Sequence, residues 1–76
     1  MTITLNGEKK TLPGDMTVLG LLELLQIQHQ RVAVELNMEI VKKDVYGTTA
    51  IQEGDSLEVV SFMAGGSAQA RLEIAN

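Results

Sequence analysis

Gly65 and Gly66 follow an apolar run from Leu57 to Phe62, joined to it by Met63 and Ala64. A diglycine just past such a run has no side chain to pack. It suits a backbone that must enter something narrow, because glycine lacks the Cβ that would block a channel. Ordering each such residue in a partner's cleft costs about 1–2 kcal/mol, so a thread kept this loose is one used while mobile. The chemistry this points to belongs to a carboxylate at Gly66. Ser67 to Asn76 follow it in the chain, however, and that carboxylate exists only once they are removed.

No competing centre emerges from the other reactive side chains. There is no cysteine, which excludes thiol catalysis, a disulfide framework and a cysteine-rich zinc site. His29 is the sole histidine; near a helix end its imidazole suits the helix dipole, and no second ligand-type cluster accompanies it. Glu35, Glu39, Asp44, Glu53, Asp55 and Glu58 read as a solvated acidic surface, since nothing in the sequence marks a dry pocket that would split their pKa values. Gly65-Gly66 lacks the spacing, following helix and lysine of a phosphate-binding loop.

The chain has 76 residues and a formal net charge of −4. That length fits one small domain able to bury only about 60% of its unfolded surface, so the core must be compact and well patterned. The acidic balance argues against nucleic acid, which is bound through Lys and Arg. No apolar run approaches the roughly 20 residues that span a bilayer, and the N-terminus reads as a strand instead of an export signal. The expectation is a cytoplasmic protein with no membrane partner.

The thread needs a scaffold, and the patterning supplies one. Thr2 to Leu5 alternates as a strand, Asn6-Gly7 is a type I′ turn pair, and Glu8 to about Leu12 returns with Leu12 inward. From Thr17, an N-cap, the residues Val18, Leu21, Leu22 and Leu25 form one helical stripe that fades between Gln26 and Gln30. Leu19 and Leu24 fall to its edges. Gly20 within this helix costs about 1 kcal/mol relative to alanine. Arg31 to Leu36 alternates as a third strand, followed by a turn at Asn37-Met38-Glu39, a short apolar segment at Ile40-Val41, and a polar connection from Lys42 to Thr49. Ile51 anchors the approach to a turn at Glu53-Gly54-Asp55. The last strand, Leu57 to Phe62, puts Leu57 and Val59 on one face and Glu58, Val60 and Phe62 on the other. With a helix covering only the first face, Val60 and Phe62 leave an apolar patch beside the thread.

A hairpin, a helix laid across it and further strands make an α+β fold, with a mixed sheet packed against one main helix and the last strand placed centrally beside the first. This is the ubiquitin-like β-grasp plan. Thr17-Val18 with its leucine run, Val32 to Asn37, Ile40-Val41, Glu53-Gly54-Asp55 and Phe62 to Gly66 together resemble the ThiS/MoaD-type sulfur carriers, ThiS of thiamine biosynthesis above all. The resemblance covers residues 1 to 66. It implies that the Gly66 carboxylate is adenylated by a ThiF-like partner using ATP and Mg²⁺, converted to a thiocarboxylate, and drawn on by thiazole synthase, ThiG. It further implies that Gly65 gives steric clearance, and that Glu58, Val60, Phe62 and Met63 meet the partner. The carrier itself holds no cofactor and no metal and catalyses nothing.

Chemical reasoning supports such a cycle, because a carboxylate is a poor electrophile whereas an acyl-adenylate has a good leaving group. The four residues after Phe62 reach at most about 13–14 Å, enough to enter a neighbour's active site while the globule stays outside. Residues 67–76 contain few apolar groups and are expected to be mostly disordered. They read as an extension removed by a peptidase, as sequence added to the native chain, or as the sign of a member that no longer carries sulfur. Two other functions stay open: a related carrier such as the small subunit of molybdopterin synthase, and a β-grasp interaction module in which Gly-Gly is only a flexible linker.

Overall fold

The computed structural model describes residues 1–62 and, by their backbone, 69–71. β1 (Thr2–Leu5) and β2 (Glu8–Thr11) pair antiparallel, with Leu5 opposite Glu8. Asn6 and Gly7 between them take φ of 50° and 85°, both left-handed as a type I′ turn requires.

Helix α1 (Val18–Leu24) begins where a hydroxyl can cap it. The Gly20 N–H donates to Thr17 Oγ1 at 3.1 Å. The two preceding amides, which no helical turn can satisfy, donate instead to a later loop: Val18 to the Thr49 carbonyl and Leu19 to the Tyr46 carbonyl, each at 2.9 Å. The helix stops sooner than its stripe suggests. Gln26 adopts φ of 60°, its amide donates to the Glu23 carbonyl, and the Ile27 amide donates to the Leu22 carbonyl. This is a Schellman closure with glutamine at the left-handed position that glycine usually fills. Leu25 is consequently only partly buried, and Leu24 is 48% exposed.

A 3₁₀ turn at His29–Arg31 leads into β3 (Val32–Leu36), which pairs with β4 (Glu39–Val41). The segment read as short and apolar is thus a hairpin strand, with Ile40 76% exposed. A second 3₁₀ turn at Lys43–Val45 precedes β5 (Ser56–Phe62). The sheet order is β2-β1-β5-β3-β4, with β1 and β5 parallel and the other pairs antiparallel, so the last strand of residues 1–62 lies centrally beside the first. Within the stretch read as a disordered tail, Gln69–Arg71 form β6, antiparallel to β5. The remainder of that stretch lies outside the described residues.

One sheet face carries the core. Ile3, Leu5, Val32, Val34, Leu57 and Val59 meet Val18, Leu21 and Leu22 of α1, with Leu12 and Ile51 closing the margins. Each such side chain contributes roughly 1.5–3 kcal/mol on burial. Tyr46 departs from its sequence reading: placed in a polar connection, it is 1% exposed and is the largest fully buried side chain. Its hydroxyl donates to the Val32 carbonyl at 3.4 Å. The loop that caps α1 also turns this ring inward, and the local polarity of the segment hides the fact.

Candidate functional site

The thread follows β5 in the sequence, and Ser56 and Val59 of β5 are tied by side chains from the turns on either side. From the β1 side the Asn6 amide completes the ladder after the chain turns away: the Val59 N–H donates to Asn6 Oδ1 at 2.8 Å, and Asn6 Nδ2 donates to the Val59 carbonyl at 3.3 Å. From the β3 side the Ser56 N–H donates to Asn37 Oδ1 at 2.9 Å, while the Asn37 N–H donates to the Ser56 carbonyl at 2.7 Å. Asn37 Nδ2 also donates to Asp55 Oδ1 at 3.0 Å. Both asparagines stand at left-handed turn positions, φ 50° and 52°. The tight turn aims each short amide at the neighbouring strand, as Asn tolerates this backbone better than most residues. Sequence reasoning saw the turns and missed the clamps; an Asn opening each of the two hairpin turns was the available signal.

On β5 the two faces separate as the alternation predicts. Leu57 and Val59 are fully buried beneath α1, whereas Glu58 and Val60 lie half-buried on the opposite face. There Glu58 is directly opposite Glu35 of β3, which in turn faces exposed Ile40 of β4, and Val60 lies opposite Ala33. Ala33, Val60 and Ile40 lie around these two carboxylates on the same sheet face. The backbone of Phe62 ends β5; its side chain, together with Met63, Gly65 and Gly66, lies outside what is described.

A surface cleft of about 510 Å³ flanks this strand end, lined by Gln26, Ile27, Gln28, Arg31, Val32 and Ser61. No catalytic constellation accompanies it among the described residues. Among the described residues no group of three His, Cys, Asp or Glu side chains could hold a metal ion. His29 packs edge-on against the Tyr46 ring, centroids 6.5 Å apart. Burial pushes the Tyr46 phenol above its ordinary value, against a smaller opposing contribution from the Val34 backbone. That shift belongs to the core.

Known proteins agree with this geometry. A thiazole synthase of Paramagnetospirillum magneticum is 46% identical over 70 residues, which is 92% of this chain and 22% of that protein, so the chain spans about a fifth of this relative's length. The sulfur carrier protein ThiS of Bacillus subtilis is 34% identical over 65 residues, covering 84% of this chain and 98% of that one. The crystal structure of a thiamine biosynthesis protein (ThiS) from Geobacter metallireducens superposes with a TM-score of 0.77 at 36% identity, covering 87% of this chain and all of that one. The model of the ThiS family matches residues 3–66, from the first buried residue of β1 to the second glycine of the pair. With the β-grasp sheet and the central strand leading to Gly65-Gly66, this establishes that the chain belongs to the ThiS family.

Proposed function

We propose that this chain carries sulfur in thiamine biosynthesis and that Gly66 is its acyl carrier. The observation that carries the reading is where the family match ends: at Gly66, four residues beyond the central strand. In this cycle a ThiF-like adenylyltransferase binds ATP and Mg²⁺ and transfers AMP to the Gly66 carboxylate, releasing pyrophosphate. A sulfide nucleophile then displaces AMP to leave a thiocarboxylate. Thiazole synthase draws on that sulfur. Support for this acceptor comes from the relatives bearing that name, in which a segment like this chain makes up about a fifth of the length.

The globule acts as a co-substrate in the cytoplasm. Gly65 supplies clearance in the partner's channel, and Glu58, Val60, Phe62 and Met63 form the docking contacts. A peptidase acting between Gly66 and Ser67 supplies the free carboxylate. Intact mass provides the test. A chain ending at Gly66, given a ThiF-type enzyme, ATP, Mg²⁺ and a sulfide source, gains about 16 Da as one oxygen is replaced by sulfur. An unchanged mass, under conditions that convert a known carrier, overturns the reading.

A further inference from the structure

The two edges of β5 are covered differently. β3 follows the strand over five residues, from Val32 opposite Ser61 to Leu36 opposite Leu57. β1 covers only the beginning, pairing Thr4 with Ser56 and Leu5 with Leu57, because the chain turns away at Asn6-Gly7. The Asn6 side chain extends that cover one step, to Val59. Beyond it the edge is taken up by β6, with Val60 opposite Arg71, Ser61 opposite Ala70 and Phe62 opposite Gln69.

Backbone alternation identifies the groups involved. The Leu57 carbonyl and both polar groups of Val59 point to the β1 side. The N–H and C=O of Ser61, two residues on, therefore point the same way, toward Ala70. Six residues separate Phe62 from Gln69, and Gly65 and Gly66 are the middle two. Short strand edges left by a neighbour that ends early are where another chain can add a strand. Here the occupant is the molecule's own sequence, Gln-Ala-Arg, which offers backbone pairing with no large apolar side chain to lock it.

We propose that Gln69–Arg71 is a masking strand, which fills the strand-addition edge of β5 next to the diglycine and withholds it from the activating enzyme until the residues beyond Gly66 are cut away. The proposal rests on the sulfur-carrier reading, and it names the enzyme's docking element as an extended segment that pairs with Val60–Phe62. Hydrolysis of the Gly66–Ser67 bond then does two things at once: water adds across the peptide to create the carboxylate, and the masking strand departs. The state competent to dock is the one with β6 detached, so a strand paired about nine-tenths of the time weakens apparent affinity about tenfold.

The test separates the mask from the missing carboxylate by using chains that retain the Gly66–Ser67 bond. In the 76-residue protein, Ala70→Pro removes the N–H that β6 contributes opposite Ser61, and a second chain ending at Ala68 lacks β6 altogether. Neither change removes a core residue among the described ones, all of which precede Val60, and urea unfolding of each variant checks that its stability matches the parent's. Amide hydrogen exchange at Ser61 should be slow in the parent chain and at least about tenfold faster in both variants, and both should bind a ThiF-type enzyme about tenfold more tightly than the parent. Equal exchange at Ser61 or equal affinity across the three chains overturns the masking strand. Its failure is distinct from failure of the carrier reading, which is decided by the 16 Da increment in the chain ending at Gly66.

Discussion

At the scale of single residues, Tyr46 shows how far a side chain's fate can depart from its neighbourhood. It sits between Asp44 and Thr49, with no large apolar residue at strand or helix spacing to announce it. Yet it fills the core because carbonyls of the loop bearing it accept from the first-turn amides of α1. The consequence is pH-dependent. The ordinary phenol value is 10.0, and burial raises it in the folded protein. Below about pH 10 the phenol is neutral in both states and its contribution is complete; above that, the unfolded chain releases the proton while the folded chain retains it, so stability falls as pH rises. Melting temperature followed from pH 8 to 11 should drop in the alkaline range, and Tyr46→Phe should flatten that drop. At neutral pH the same substitution should change stability by less than about 1.5 kcal/mol, since the hydrogen bond it removes is long. An identical alkaline slope in both proteins would assign the loss to other groups.

At the scale of elements, the periodic segments were legible and the tertiary ties were not. The stripe of α1, the hairpin at Asn6-Gly7 and the alternation of β5 were all readable, because each is written in adjacent residues. The helix end was misplaced because Gln26 adopts a conformation that its side chain does not advertise. The Asn6 contact spans 53 residues to Val59, so no local pattern could reveal it. Replacement by glycine isolates that contact. Asn6→Gly keeps a residue at ease with φ of 50° and removes only the amide, leaving the turn intact. The expected loss is about 1–3 kcal/mol in urea unfolding, because two partly buried backbone groups of Val59 lose their partner. Asn37→Gly removes exposed hydrogen bonds and should cost less. A larger effect at Asn37 would mean that β5 is secured chiefly from the β3 side.

For the whole molecule the decisive arrangement is a sheet with one face sealed by α1 and the other presenting Glu58, Val60, Ala33 and Ile40. The fold was legible because small β-grasp sheets advertise their strands through alternation, whereas the diglycine lies outside the described residues. The cover at the end of β5 was not legible, since Gln-Ala-Arg has no pattern that distinguishes a strand from a loose tail. Neighbouring valines on β5 let the division of labour between the faces be measured directly. Val59 is fully buried, so Val59→Ala leaves a cavity and should lower stability by roughly 2–3 kcal/mol. Val60 lies half-buried on the opposite face, and Val60→Ala should stay within about 1 kcal/mol of the parent. Binding to a ThiF-type enzyme, measured on chains ending at Gly66, should order the pair the other way. Val60→Ala should weaken association at least about fivefold, the loss expected of an apolar contact at the centre of an interface. Val59→Ala should bind as the parent does wherever it remains folded. Comparable losses of stability and affinity at Val60 would place that side chain in the core's service, and the docking face would then have to be sought elsewhere on the sheet.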